Sequence, residues 1–321
     1  MKLGVGIPAK STDRYRIPPH RAVGFVKQAE EYGFASAWAL EHLTVPDSYR
    51  TSFQDPLTTL ATVAGATETI DIGTSILILP MRHPVMVAKR AATIQHFSGG
   101  RLTLGLGQGY SEEEYNAVGV PYRERHRRFT EGLQLLYRLL NEENVTFDGE
   151  FYQVEGMTIE PTLTRAPRIV CAGGGRERDG EWAVARTVKE RIAGVDGWIA
   201  SSSAAIEKDW GEIAPYLEAE GTDPEQAERI ALQHIHVVPG SGSQVRSKQR
   251  KVFSDFLTEK RGVEWAEEYF LVGTIDEILD RLDRYYEAGT DEVILHPAAH
   301  RPSDLDRQLE LWNEHLLPAF S

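Results

Sequence analysis

The chain has 321 residues, 41% of them hydrophobic, and a formal net charge of −13. That length suits a single α/β domain with a sizeable core, and the acidic balance argues against a nucleic-acid partner, because neutralising phosphates needs a basic face. The one cysteine, Cys171, rules out an intrachain disulfide and a four-cysteine zinc site.

Along the chain, a short apolar run, a loop and an amphipathic segment recur. The first strand is expected at Lys2–Ile7, and a helix from Pro19 to Tyr32 buries Val23, Val26 and Ala29, with Gly33 just past its end. A second strand follows at Ser36–Leu40. Asp55 then caps a helix that has Pro56 at its first position. The third strand is the apolar run Ile70–Leu79. Pro84 opens a helix that stops at Ser98-Gly99-Gly100, and Leu102–Leu106 is the fourth strand. A long helix from Arg123 to Leu140 leads into a hairpin over Val145–Thr158, turning at Asp148-Gly149. Strands five to eight are expected at Arg168–Ala172, Gly197–Ala200, Ile230–Val238 and Glu292–His296. Thr274 and Glu277 form a capping box before the last of them. The pattern predicts one domain over residues 1–321. Its fold is an α/β (β/α)₈ TIM barrel with a hairpin insertion after the fourth helix, its strands buried on both faces.

In such barrels functional groups gather at the C-terminal ends of the strands. The second strand ends in Glu41-His42, before Leu43-Thr44-Val45-Pro46. A histidine there can transfer protons near neutral pH, or simply hydrogen-bond a loop. The third-strand exit, from Gly73 to Pro84, reads from composition as a core strand and a loop. The fourth-strand exit, Gly105-Leu106-Gly107-Gln108-Gly109-Tyr110, has one face stripped of side chains, so a planar ligand or another backbone can approach. Ala172-Gly173-Gly174-Gly175-Arg176 reads as a glycine run opening a helix, whose free N–H groups would cradle a phosphate beside Arg176 and Arg178. His234 and His236 share a strand face and could be half of a metal site. The first strand lacks a matching His-x-His, and metal is not expected.

Several segments together resemble the luciferase-like monooxygenases, a family with FMN-dependent and F420-dependent members. They are the run from Tyr32 to His42, Asp55-Pro56-Leu57, Gly73-Thr74-Ser75, Arg82-His83-Pro84, Ser98-Gly99-Gly100-Arg101-Leu102, Gly105–Gly109, Phe147–Tyr152, Gly173–Gly175 and Val272-Gly273-Thr274. The resemblance implies a flavin or deazaflavin ring across the barrel mouth, backed by a bulge with a cis peptide at Ser75–Ile76. It also implies a phosphate site at Gly173–Gly175 and His42 as the catalytic residue facing the ring. Ser75, Ile76, Gln108, Gly109, Ala172, Gly173, Gly174, Gly175 and Arg176 are the expected cofactor-binding set. The chain departs from the family's F420-dependent sugar-phosphate dehydrogenases. Gln108-Gly109-Tyr110 stands where they carry Thr-Gly-Glu, and no tryptophan follows His42 closely.

The expected function is therefore a monooxygenase using reduced FMN and O₂ on a small organic substrate, with F420-dependent hydride transfer as the alternative. A separate flavin reductase and a homodimer are the expected partners. A metal-dependent hydrolase and a non-catalytic binding subunit are the competing classes. The N-terminus has no signal-peptide pattern and no run of roughly 18 apolar residues spans a membrane, so a cytoplasmic location is expected.

Overall fold

A computed structural model describes residues 1–8, 10–12, 18–45, 51–178, 180–200, 206–258, 262–299 and 301–320. Eight parallel strands form the barrel wall: β1 (Lys2–Gly6), β3 (Ser36–Ala39), β5 (Asp71–Thr74), β7 (Leu102–Gly107), β10 (Arg168–Gly173), β13 (Gly197–Ala200), β14 (Glu228–Ile235) and β15 (Glu292–Pro297). Pairing of β7 with β10, and of β15 with β1, closes the wall. Between them lie β2 (Lys10–Thr12), β4 (Thr51–Phe53) and β6 (Leu77–Ile78), the hairpin β8–β9 (Val145–Asp148, Gln153–Met157) and the hairpin β11–β12 (Arg176–Arg178, Glu181–Ala183). The helices are α1 (Pro19–Tyr32), α2 (Pro56–Ala64), α3 (Pro84–Phe97), α4 (Glu112–Ala117), α5 (Arg125–Asn141), α6 (Arg186–Ala193), α7 (Ile206–Ala219), α8 (Ser243–Phe256), α9 (Val263–Tyr269), α10 (Ile275–Glu287) and α11 (Pro302–His315). Among the described residues no helix is long and apolar enough to cross a membrane.

Local chemistry accounts for the helix boundaries. Gly33 sits at φ 89°, a left-handed conformation that ends α1 and that a side chain would resist. Asp55 accepts the N–H of Thr58 at 2.8 Å at the start of α2. Thr274 and Glu277 exchange both capping-box bonds at the start of α10. The outward strand residues and the inner helix faces make one continuous core, including Leu3, Val5, Leu104, Leu106, Leu136 and Trp312.

The barrel interior is filled in layers, because alternate strand residues point inward. The floor holds Ser36, Thr103, Arg168, Glu228 and Glu292, linked by polar contacts. Above it Trp38, Val170, Ile199, Ile230 and Ile294 pack into a closed apolar layer. Ile76 and Ala172 pack on top of that layer while staying partly exposed. This apolar layer thus plugs the lumen at mid-height.

Strand three is shorter than its apolar run suggests. It breaks after Thr74 and resumes at Leu77, and the Ser75–Ile76 peptide between is cis, as the resemblance implies. The break needs Gly105 on the neighbouring strand: a Cβ there would collide with the Thr74 carbonyl oxygen. Since backbone cannot yield as a side-chain tip can, Gly105→Ala is expected to destabilise the fold by about 1–3 kcal/mol or more, read as a lower urea midpoint. An unchanged midpoint would mean that the bulge relaxes freely. Strand seven also ends early, at Ile235 rather than Val238. Helix α4 and the β2–β4 and β11–β12 pairings are additional to the predicted elements.

Candidate active site at the barrel mouth

Beyond the end of β3, Glu41 and His42 point to different tasks. Glu41 is buried, accepts the Ile78 N–H at 2.5 Å, and pairs with Arg82. Burial pushes its carboxyl up, against the pull of the Arg82 charge and the Ile78 N–H. Arg82 also reaches Asp55 at 3.2 Å. The motifs Glu41-His42, Asp55-Pro56 and Arg82-His83-Pro84 are therefore one ionic knot that fixes the loop after β3 to the bulge.

His42 itself is half-buried at the mouth. Its Nδ1 lies 3.2 Å from Glu114 Oε1 and its Nε2 3.5 Å from the Tyr110 hydroxyl. The ring is flanked by Phe53 and Tyr110, with centroids at 5.1 and 5.5 Å. Glu114 is buried on the short helix α4. Its Oε1 also accepts the N–H groups of Leu43 at 2.6 Å and Thr44 at 3.2 Å. Leu43 and Val45 are exposed beside this site, while Pro46 lies outside the described residues.

The glycine-stripped exit of strand four serves the bulge. Ile76 occupies the space over Gly107, and Ile78 the space over Gly109, that side chains there would fill. Of the two approaches that the stripped face allows, a neighbouring chain segment takes the one below the mouth. Ser75 is buried beside the half-exposed Ile76. With its amide oxygen toward Arg191, Gln108 accepts from both terminal nitrogens of that guanidinium, one at 2.9 Å, and donates to His126 Nδ1 at 2.5 Å.

Arg191 is buried on α6, its guanidinium over the Phe129 ring. Loss of solvent, then the charges of Arg125, Arg191 and Arg176, hold His126 below its ordinary range. Arg191 contacts Gln108, the charges of Arg125 and Arg176 also act on His126, and among the described residues no carboxylate pairs with the three. In an acidic chain this is a local excess of positive charge. Sequence reading missed Arg125, His126 and Arg191, because they come from two helices far apart in the chain.

The glycine run requires a correction. Gly173 ends β10, but Gly174 and Gly175 lead into the β11–β12 hairpin, and the next helix starts only at Arg186. No helix N-terminus stands behind the run, so the helix-dipole argument for phosphate does not apply. The Gly175 N–H is already bonded to Asp209 Oδ1 at 2.9 Å, which also accepts Trp182 Nε1 at 2.9 Å. Burial pushes the Asp209 carboxyl up, against those two donors. Ala172, Gly173, Gly174 and Gly175 remain partly exposed on the rim, and Arg176 is exposed. The Arg178 side chain lies outside the described part of the molecule.

The two histidines of strand seven separate as well. His236 lies past the strand end with Nδ1 2.8 Å from the Ala298 carbonyl oxygen, whereas His234 packs on His296 at 5.6 Å between centroids. Among the described residues no group of three or more His, Cys, Asp or Glu side chains could hold a metal ion. Cys171 is fully buried and its thiol pushed up to about 12, so it is no nucleophile.

The luciferase-like monooxygenase family model matches residues 1–292. The chain is 33% identical over 179 residues to the F420-dependent glucose-6-phosphate dehydrogenase of Kineococcus radiotolerans, a match covering 54% of this chain and 51% of that enzyme. It is 25% identical over 322 residues to the FMNH₂-dependent dimethylsulfone monooxygenase of Pseudomonas putida, covering 90% and 85% of the two chains. The structure of the monooxygenase RslO1 from Streptomyces bottropensis superimposes with a TM-score of 0.84 over the whole of both chains at 23% identity, a likeness of fold. With its closed barrel, its bulge at Ser75–Ile76 and a family match over most of its length, this chain belongs to the luciferase-like monooxygenase family.

Proposed function

We propose that the protein is a flavin-dependent monooxygenase that holds reduced FMN across the barrel mouth and acts with O₂ on a small organic substrate. The carrying observation is one continuous rim with two chemistries. A half-exposed apolar surface at Ile76 and Ala172 suits a flat ring. The arginines near Gln108 and His126, with no carboxylate partner among the described residues, suit the phosphate of its tail. The residues present therefore fit the group. Ser75, Ile76, Gln108, Gly109, Ala172, Gly173 and Gly174 would border the ring and its chain, and Arg176 and Arg191 would neutralise the phosphate.

When bound, the reduced flavin supplies the electrons for oxygen chemistry. The protein's own part is to seat the ring on Ile76, keep water from its edge with Phe53 and Tyr110, and present His42 Nε2 to hold or move a proton. Gly175 is excluded from phosphate binding, because its N–H serves Asp209. A small substrate, a separate reductase that supplies the flavin, a homodimer and a cytoplasmic location complete the proposal.

F420-dependent hydride transfer is the second reading. Its support is the similarity to enzymes named for F420, such as the Kineococcus relative. Titrating the purified protein with reduced FMN and with F420, followed by fluorescence, separates the two readings. Tight binding of F420 alone would overturn the first. Arg191→Met is expected to weaken cofactor affinity by roughly 10–100-fold, the scale of one charge-assisted hydrogen-bonded contact. Equal affinity in the variant would remove the arginine cluster from the cofactor site.

A further inference from the structure

We propose that Glu114 is a positioning residue that sets which nitrogen of His42 carries the proton, leaving Nε2 unprotonated. The inference rests on the role given to His42 above and adds a residue that role does not name.

The argument begins with α4. Ser111 accepts the Glu114 N–H at 3.4 Å and so starts the helix three residues before Glu114. In a closed capping box the glutamate side chain would turn back to its cap. Here it runs across the mouth to the loop after β3, where Oε1 meets Leu43 N, Thr44 N and His42 Nδ1. The carboxylate is 1% exposed, so water does not replace these donors.

Burial alone would raise its pKa, but the His42 ring and the Thr44 and Leu43 N–H groups outweigh it and hold the carboxyl below its ordinary value. An ionised carboxylate only accepts hydrogen bonds, so the nitrogen facing it must be N–H. A neutral imidazole carries one proton, and with that proton on Nδ1, Nε2 is the acceptor, 3.5 Å from the Tyr110 hydroxyl. Phe53 and Tyr110 bracket the ring and oppose a flip that would exchange the two nitrogens. The same carboxylate thus ties down the loop backbone and orients the base. A residue that only anchored the loop would not need to reach the ring.

The two roles can be separated by substitution. Glu114→Gln keeps an acceptor for Leu43 and Thr44 but removes the charge, whereas Glu114→Ala removes both. In ¹⁵N-histidine-labelled protein, at a pH where the ring is neutral, the His42 resonances are assigned by their absence in His42→Ala. Wild type is expected to show protonated Nδ1 and bare Nε2. In Glu114→Ala the signals should move toward the Nε2–H form that free imidazole prefers. If Glu114→Ala is poorly folded by circular dichroism, Glu114→Gln supplies the readout, with a mixed tautomer expected.

In turnover, Glu114→Gln should lower kcat by about tenfold or more with little change in KM. A wild-type ring with its proton on Nε2, or an identical tautomer in wild type and both variants, would overturn the proposal. So would a wild-type kcat in Glu114→Gln. The tautomer is read without turnover, so an active His42→Ala enzyme would sink the role of His42 while leaving the Glu114 result legible on its own.

Discussion

Replacing His42 with alanine is expected to lower kcat by roughly 10²–10⁴, the usual contribution of a positioned acid–base group. Cofactor affinity should change little, because the ring seat at Ile76 and the arginine cluster lie on other elements. The imidazole is held from three sides, by Glu114 at Nδ1 and by Phe53 and Tyr110 around the ring. A group so restrained is pre-organised for proton transfer, and its loss should appear in the chemical step. Glu41 next to it is tied to Arg82 and Ile78 N–H, so the loop should keep its course without the ring. Single-turnover kinetics on protein pre-loaded with reduced cofactor would test this directly. A rate within about threefold of wild type, well below the span of that estimate, would take His42 out of the mechanism.

Glu292→Gln is expected to stabilise the protein above pH 7 and to change little below pH 4.5. Glu292 is wholly buried on the barrel floor, and burial raises its carboxyl from 4.5 to about 7 despite the hydrogen bonds from Ser36 and Trp38, with Glu228 adding to the rise. Trp38 Nε1 donates to Glu292 Oε1 at 2.7 Å. The folded-state pKa lies above the unfolded one, so the native protein holds the proton more tightly. The stability linked to that proton is complete below pH 4.5 and is lost as pH rises to about 7. The full loss is on the order of 3 kcal/mol, from about 1.4 kcal/mol per unit of pKa. Glutamine keeps an acceptor for Ser36 and Trp38 while removing the charge. The difference in unfolding free energy between variant and wild type, followed by urea titration across that pH range, should grow with pH. A difference independent of pH would show that the carboxyl titrates near its ordinary value.

The features that local chemistry controls are legible in the amino-acid sequence. Apolar runs mark the eight wall strands, Pro19 and Pro84 the helix starts, Gly33 a left-handed stop, and Thr274 with Glu277 a capping box, because each depends on residues within a few positions of one another. His42 can be singled out since a parallel barrel brings every strand's C-terminal end to one rim, whereas Ser75, Ile76 and Gln108 are marked by the family resemblance. Glu114 has a signal too, in Ser111-Glu112-Glu113-Glu114, the pattern of a helix start. Nothing in that pattern says where its carboxylate points.

What the chain dictates by itself is the alternation of strand and helix, and with it the barrel and its chemically active end. The tertiary structure decides which distant groups share that end. Glu114 reaches His42 across 72 positions, and Arg191 meets Gln108 only when α6 packs beside the exit of β7. Gly175 illustrates the same division from the other side. As sequence, three glycines after a strand offer free N–H groups to a phosphate. In the fold, Asp209 from the next strand–helix unit takes one of them and the chain turns into a hairpin. Backbone donors bind whatever acceptor the packing brings nearest, and local sequence does not carry that choice.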